Sequence, residues 1–180
     1  ASLVEVPASG GVLVVGGQSG VLDEDLHVRL GGYLGGPVLR EALGVSVEEF
    51  APLQSDDEPT ALDGPFGGTG LGDQELVTVE DAEVLARFAD GFATGGAAIT
   101  RKAHTSGGAG WYLATRPDAA LFDALVDRWL TEAGIEAAFA QPEVGVETVV
   151  RGGRRFVGNH TGQVRTVVAG GIEVTLDPFG

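Results

Sequence analysis

VLVVGGQSGVLDEDLHVRLGGYLGG, residues Val12–Gly36, decides how the chain is read. Val12–Val15 is an uninterrupted apolar run, the pattern of a strand covered on both faces. It breaks at Gly16-Gly17, passes Asp23, Glu24 and Asp25, and reaches glycines again at Gly31-Gly32 and Gly35-Gly36. A strand that ends in a Gly-rich turn is where many α/β proteins hold a phosphate or a nucleophile. This turn meets neither requirement. A nucleophile elbow reads G-x-S-x-G, and around Ser19 the flanking positions are Gly17 and the β-branched Val21. A phosphate-binding P-loop needs G-K-[ST], and no Lys is near.

Working outward, Val38–Leu43 carries apolar residues at helical spacing and stops at Gly44, a good helix-ending residue. Val45–Phe50 is expected to be a short strand. Residues 51–74 hold prolines, glycines and the acidic run Asp56-Asp57-Glu58, and are expected to form one long loop. Strand patterns return at Glu75–Glu80, Ala82–Ala89, Ala97–His104 and Trp111–Arg116, separated by turn signals. The clearest helix is Asp118–Ala133. It places Leu121, Phe122, Leu125, Trp129 and Leu130 on one face, begins at Pro117-Asp118 and ends at Gly134. Pro142 marks a boundary. Beyond it, Val146–Val150 and Arg154–Gly158 flank Gly152 as a hairpin, and Val164–Ala169 with Ile172–Leu176 form a second around Gly170-Gly171. The expected fold class is therefore α/β over residues 1–140, followed by a small antiparallel β module over 141–180. No strong strand–helix unit precedes Val12, so a first βα unit is expected upstream of residue 1. The chain also lacks methionine and opens on Ala1, which suggests a piece of a longer polypeptide.

Composition narrows the function. The 180 residues suit one medium domain, or one with a small appendage. Lys+Arg is 11 and Asp+Glu 26, a formal charge of −15. Such a surface repels phosphate backbones and anionic lipid, so neither nucleic acid nor membrane is an expected partner. With no cysteine there is no disulfide, thiolate metal site or Cys nucleophile, in keeping with a cytoplasmic protein.

Other motifs weigh no more than the turn. Gly68-Thr69-Gly70-Leu71-Gly72 resembles part of a dinucleotide fingerprint but lacks the strand before and the helix after it. A glycosidase needs two carboxyls facing each other, about 5–5.5 Å or 6.5–9.5 Å apart. The acids Asp23, Glu24 and Asp25, then Asp56, Asp57 and Glu58, then Glu80, Asp81 and Glu83, read instead as solvated surface. His27, His104 and His160 have no partner at metal-pair spacing. Arg151, Arg154 and Arg155 form a basic hairpin tip. Asn159-His160-Thr161 fits the N-glycosylation pattern. Trp111 and Tyr112 point to opposite faces if they lie on a strand, so one of them is expected in the core. The residues thus nominate no catalytic, cofactor-binding or metal-binding side chain, and no cofactor.

Several stretches nevertheless resemble the glycoside hydrolase family 42 β-galactosidases. Ser19-Gly20, Asp23-Glu24 and Leu30-Gly31-Gly32-Tyr33, after the Gly10–Val15 strand, are similar to that family's hallmark just past its catalytic barrel. Leu39–Phe50, Ala82–Gly91, Gly108–Asp118 and Asn159-His160 follow in the family's order. Leu34 stands where the family often has Pro. The resemblance implies a middle domain that mediates trimer formation, plus part of a C-terminal β domain. It also implies a Rossmann-like, class I glutamine-amidotransferase-like three-layer fold that lacks that class's Cys nucleophile. The implied partners are other subunits of a homo-oligomer and the catalytic barrel of the same parent chain. The catalytic glutamates of the retaining mechanism would lie in that barrel, and no Glu here maps to either. Two rivals remain: an amidotransferase-like or flavodoxin-like small-molecule protein using the turn after Val15, and a carbohydrate-binding module using Trp111, Tyr112 or Trp129.

Overall fold

The computed structural model describes residues 3–34, 36–51, 59–135 and 143–180. The Asp56-Asp57-Glu58 run and Pro142 lie outside them. The chain divides into two compact units, Ala1–Gly134 and Ile135–Gly180.

The first unit begins with a one-turn helix, α1 (Glu5–Ala8), and strand β1 (Val12–Gly16). Helix α2 (Pro37–Leu43) follows. Pro37 sits at its first turn, where a missing N–H costs nothing. Gly44 ends it in the left-handed conformation at φ 67° and returns its N–H to the Arg40 carbonyl. A Cβ at Gly44 would also collide with the Asp81 carboxylate, so both backbone and space require glycine there. Strand β2 (Val45–Ala51) comes next. Residues 59–74, expected to be loop, instead contain β3 (Thr60–Asp63) and β4 (Gly68–Leu71). Then follow β5 (Gln74–Val79), β6 (Glu83–Phe88), β7 (Ala97–Ala103), β8 (Ala109–Leu113) and the two-residue β9 (Arg116–Pro117). Helix α3 (Ala119–Glu132) closes the unit. The Asp118 carboxylate caps its first turn, accepting from the Leu121 N–H at 2.8 Å.

This topology corrects the α/β expectation. A seven-stranded sheet runs β1-β8-β7-β6-β3-β4-β9, and β1–β8 is its one parallel pair; every other neighbour is antiparallel. The sheet curls into a nearly closed, barrel-like surface. A separate antiparallel pair, β2–β5, carries a bulge between Val47 and Glu49. The unit is mostly strand, and is not a Rossmann-like or amidotransferase-like three-layer domain. The physical reason lies in hairpin chemistry. Short glycine-containing strands joined by tight turns pair antiparallel, whereas parallel strands need a crossover of a dozen or more residues. Val12–Val15 is also not covered on both faces, because Val14 is 36% exposed.

The core lies against β8, whose five residues are all buried. On one face Trp111 stacks edge-on with Phe66 at 5.8 Å and with Trp129 of α3 at 6.0 Å. On the other, Tyr112 meets Glu75 of β5. Gly110 shares the Tyr112 face and lets α2 approach, since a Cβ there would strike the Ala42 carbonyl.

The second unit holds two antiparallel hairpins, β10 (Val146–Arg151) with β11 (Arg154–Asn159), and β12 (Arg165–Ala169) with β13 (Ile172–Leu176). Asn159 organises it. Its Nδ2 donates to the carbonyls of Gln163 and Asp177, each at 2.8 Å, and its Oδ1 accepts from the Thr161 N–H and hydroxyl.

Candidate functional site

The turn after β1 does hold an acid, and the acid belongs to the chain itself. Gln18 adopts the left-handed conformation at φ 60°. That region is uncommon for a residue with a side chain. Its N–H points at Glu75 Oε1 at 2.7 Å. The Tyr112 hydroxyl donates to the other oxygen. A Cβ on Gly17 would lie 3.3 Å from the Glu75 carboxyl, so this glycine leaves room for the group. Glu75 is 1% exposed, and no cation is bonded to it among the described residues. Burial pushes its carboxyl above the ordinary range. The bonds from Tyr112 and Gln18 oppose the rise without cancelling it, and the charge of Asp73 adds to it. Burial and the same carboxylate push the Tyr112 hydroxyl upward as well.

Glu75 and the turn form one wall of a cavity of about 390 Å³. Leu71, Leu113 and Pro117 give it apolar surface, and Asp73 and Arg116 give it charge. It lies at the carboxyl ends of the parallel pair β1 and β8, beside β4 and the edge strand β9.

The remaining sequence candidates fall elsewhere. Ser19 is exposed. Gly68–Leu71 is strand β4, and its glycines serve packing: Gly68 lies on Leu121, and a Cβ at Gly70 would meet the Thr115 methyl at 2.6 Å. Asp23, Asp25 and His27 could place ligand atoms within 4.8 Å of one another. Asp23 Oδ1, however, is occupied in pinning a turn, accepting from the N–H groups of Asp25 and His27 at 2.9 Å each. His104 Nε2 lies 2.9 Å from the Ala42 carbonyl, and His160 pairs with Glu147 at 3.2 Å. Glu80 pairs with Arg40, and Asp81 with Lys102 at 2.8 Å. Arg151 and Arg154 face each other at the β10–β11 tip, and Arg155 lies beside Gly170. Trp111 and Tyr112 are both buried, so neither offers a surface platform for a sugar.

Two acids, the buried Glu75 and the half-buried Glu132, escaped the sequence reading. Glu75 looked like an ordinary polar residue of an alternating strand, and Glu132 like a solvated helix position. Glu132 receives the Trp111 indole N–H at 2.9 Å and Arg101 Nε at 2.7 Å, with Arg128 at 4.0 Å. Burial alone would raise its carboxyl. The bonds from Arg101 and Trp111, with the charges of Arg101 and Arg128, outweigh that and hold it below the ordinary range.

Fold and site together define a scaffold class: a β-rich unit in which the Glu75 and Glu132 carboxyl groups are engaged by its own donors. The chain belongs to the β-galactosidase trimerisation domain family, whose sequence pattern matches residues 1–136. A β-galactosidase from Arthrobacter sp is 38% identical over 179 residues, covering 97% of this chain and 25% of the relative. β-Galactosidase LacZ from Heyndrickxia coagulans is 37% identical over 173 residues, covering 91% and 24%. The crystal structure of β-galactosidase from Bacillus circulans sp. alkalophilus superimposes with a TM-score of 0.79 at 26% identity, covering 96% of this chain and 28% of that one. The chain thus spans about a quarter of the length of the curated relatives it matches. Among the described residues, no helix is long and apolar enough to cross a membrane.

Proposed function

We propose that this chain serves as the assembly region of a family 42 β-galactosidase. It joins subunits into a trimer and supports a catalytic barrel carried by the same polypeptide. Residues 1–140 act as the assembly domain and 141–180 as part of a C-terminal β domain. The parent hydrolyses terminal, non-reducing β-D-galactosides with retention, and this segment supplies no catalytic residue, cofactor or metal ligand to that reaction. The cytoplasmic location expected from the cysteine-free composition belongs to the same reading. The observation that carries it is the trimerisation-domain match over residues 1–136.

The turn built on Asp23 offers a surface for assembly. Leu22 and Val28 form an isolated antiparallel bridge, and Asp23 locks the residues between them. Leu26 sits at the tip in the left-handed conformation and is 76% exposed, and Leu30 is 97% exposed. A leucine held in a left-handed turn and presented to water is costly for a free surface. Burial against a second subunit would remove the cost of exposing the apolar side chain, about 25 cal/mol per Å² of apolar area, and so offset the backbone cost.

Sedimentation velocity on the parent enzyme tests the reading, alongside an aryl β-galactoside assay of parent and segment. The expected result is a trimeric, active parent, an inactive segment, and a smaller species for Leu26→Asp with Leu30→Asp. Turnover by the purified segment, or a monomeric active parent, would sink it.

A further inference from the structure

The cavity beside Glu75 has a specific chemistry. Its floor is a carboxylate with two of its acceptor positions already taken, by the Gln18 N–H and the Tyr112 hydroxyl. A carboxylate has about four such positions, so capacity is left over. Asp73 and Arg116 line the same cavity, and neither side chain makes a hydrogen bond or ion pair with any described residue. Two uncommitted charges of opposite sign therefore border a buried acceptor. Leu71, Leu113 and Pro117 supply apolar surface to the same cavity.

These features select among ligand classes. A phosphate or other anion is disfavoured, because Glu75 already occupies the Gln18 N–H that an anion would use. A bare cation would meet the Arg116 guanidinium. A molecule with hydroxyl donors and acceptors on its edge and C–H groups on its face satisfies every wall: donors to Asp73 and Glu75, acceptors to Arg116, and an apolar face on Leu71, Leu113 and Pro117. The cavity volume of about 390 Å³ suits one sugar ring. It falls at the small end of the range that small-molecule sites occupy.

We propose that the cavity between the β1 turn and strands β4 and β9 is a monosaccharide-binding site, with Asp73 and Arg116 as its recognition residues and Glu75 as its buried acceptor. The site lies within an assembly domain, so an occupant bridging β1, β4 and β9 would stiffen the curled sheet at its near-closure. Binding is a property of this chain alone and does not depend on the trimer.

The test is a ¹H–¹⁵N NMR titration of the chain with D-galactose and D-glucose, with glycerol, L-arginine and magnesium chloride as comparisons. The expected result is saturable shifts for a hexose at the amides of Gly16–Gln18 and Thr115–Arg116. Arg116→Ala and Asp73→Asn should each weaken binding about tenfold or more, the loss expected for a charge-assisted hydrogen bond. Arg116→Ala should unfold at the wild-type temperature, because its side chain makes no hydrogen bond or ion pair with a described residue; Asp73→Asn should unfold at that temperature or slightly above it, because it removes the charge that opposes ionisation of Glu75. Glu75→Gln probes the floor, and its stability is measured in parallel. No saturable hexose binding would overturn the proposal, as would shifts confined to other residues or hexose binding unaltered in both mouth variants. Saturation by arginine or magnesium without hexose binding would replace it with a zwitterion or cation site. Sedimentation of the same samples reports the oligomeric state separately, so failure here is distinguishable from failure of the assembly reading.

Discussion

Trp111 and Tyr112 are neighbours on β8, and they face opposite sides of the same sheet. Each donates a hydrogen bond to a carboxylate, Glu132 on one side and Glu75 on the other. The two carboxylates differ in what else reaches them. Glu132 has Arg101 and Arg128 and is held below its ordinary pKa range, whereas Glu75 has only neutral donors and is raised. The same aromatic-to-acid contact is thus an anchored ion pair on the helix side and a poised, uncompensated acid on the β5 side. A cation within reach decides which of the two a buried carboxylate becomes.

Substitutions can break this contrast. The largest effect is expected for Trp111→Ala, which empties the centre of the Phe66–Trp111–Trp129 cluster and strips the indole donor from Glu132. A loss of about 3–5 kcal/mol in urea unfolding is expected. Glu132→Gln comes next. It removes charge-assisted bonds from a part-buried Arg101 and should cost about 1.5–3 kcal/mol by the same measurement. Tyr112→Phe should cost about 1–2 kcal/mol and raise the Glu75 pKa further, read from the ¹³C carboxyl shift against pH.

The smallest effect, and the sharpest, concerns sign. For Glu75 the folded value lies above the unfolded value of 4.5. The folded state therefore binds more protons between the two values, and stability falls as pH rises through that window. Glu132 behaves oppositely: its contribution is complete above the unfolded value of 4.5 and is lost as pH falls through its lower folded value. Glu75→Gln should flatten the upper slope and leave the lower one. Glu132→Gln should do the reverse. Thermal melts across the carboxylate range check this, and parallel curves for the two variants would refute the contrast.

Local structure was largely legible in the sequence. Gly44 stops α2, Asp118 caps α3, and Leu121 and Leu125 face inward at the expected spacing. The hairpins around Gly152 and Gly170 also follow their turn residues. Topology was not legible. Val12–Val15 pairs with a strand nearly a hundred residues away, and its apolar run is equally compatible with the edge of a curled sheet. β3 and β4 are short and glycine-rich, which reads as loop when the neighbouring strand is unknown. For the candidate site, the turn after β1 was visible but its occupant was not. Glu75 sits in an alternating strand where a carboxylate normally faces water, and only the tertiary approach of Tyr112 and Gln18 marks it as buried. The Asp23-Glu24 stretch was recognised by resemblance, while its physical work, fixing a turn that presents Leu26, appears only in three dimensions.

The Asn159 clamp has a practical consequence for producing the protein. Both Nδ2 hydrogens are committed, one to the Gln163 carbonyl and one to that of Asp177, and the residue is 2% exposed. An oligosaccharide attached at Nδ2 would replace one of those hydrogens and could not fit inside the closed unit. In a host that glycosylates secreted chains at Asn-His-Thr, sugar addition and closure of the second unit are mutually exclusive. Whichever is faster during synthesis decides whether the hairpins ever lock together.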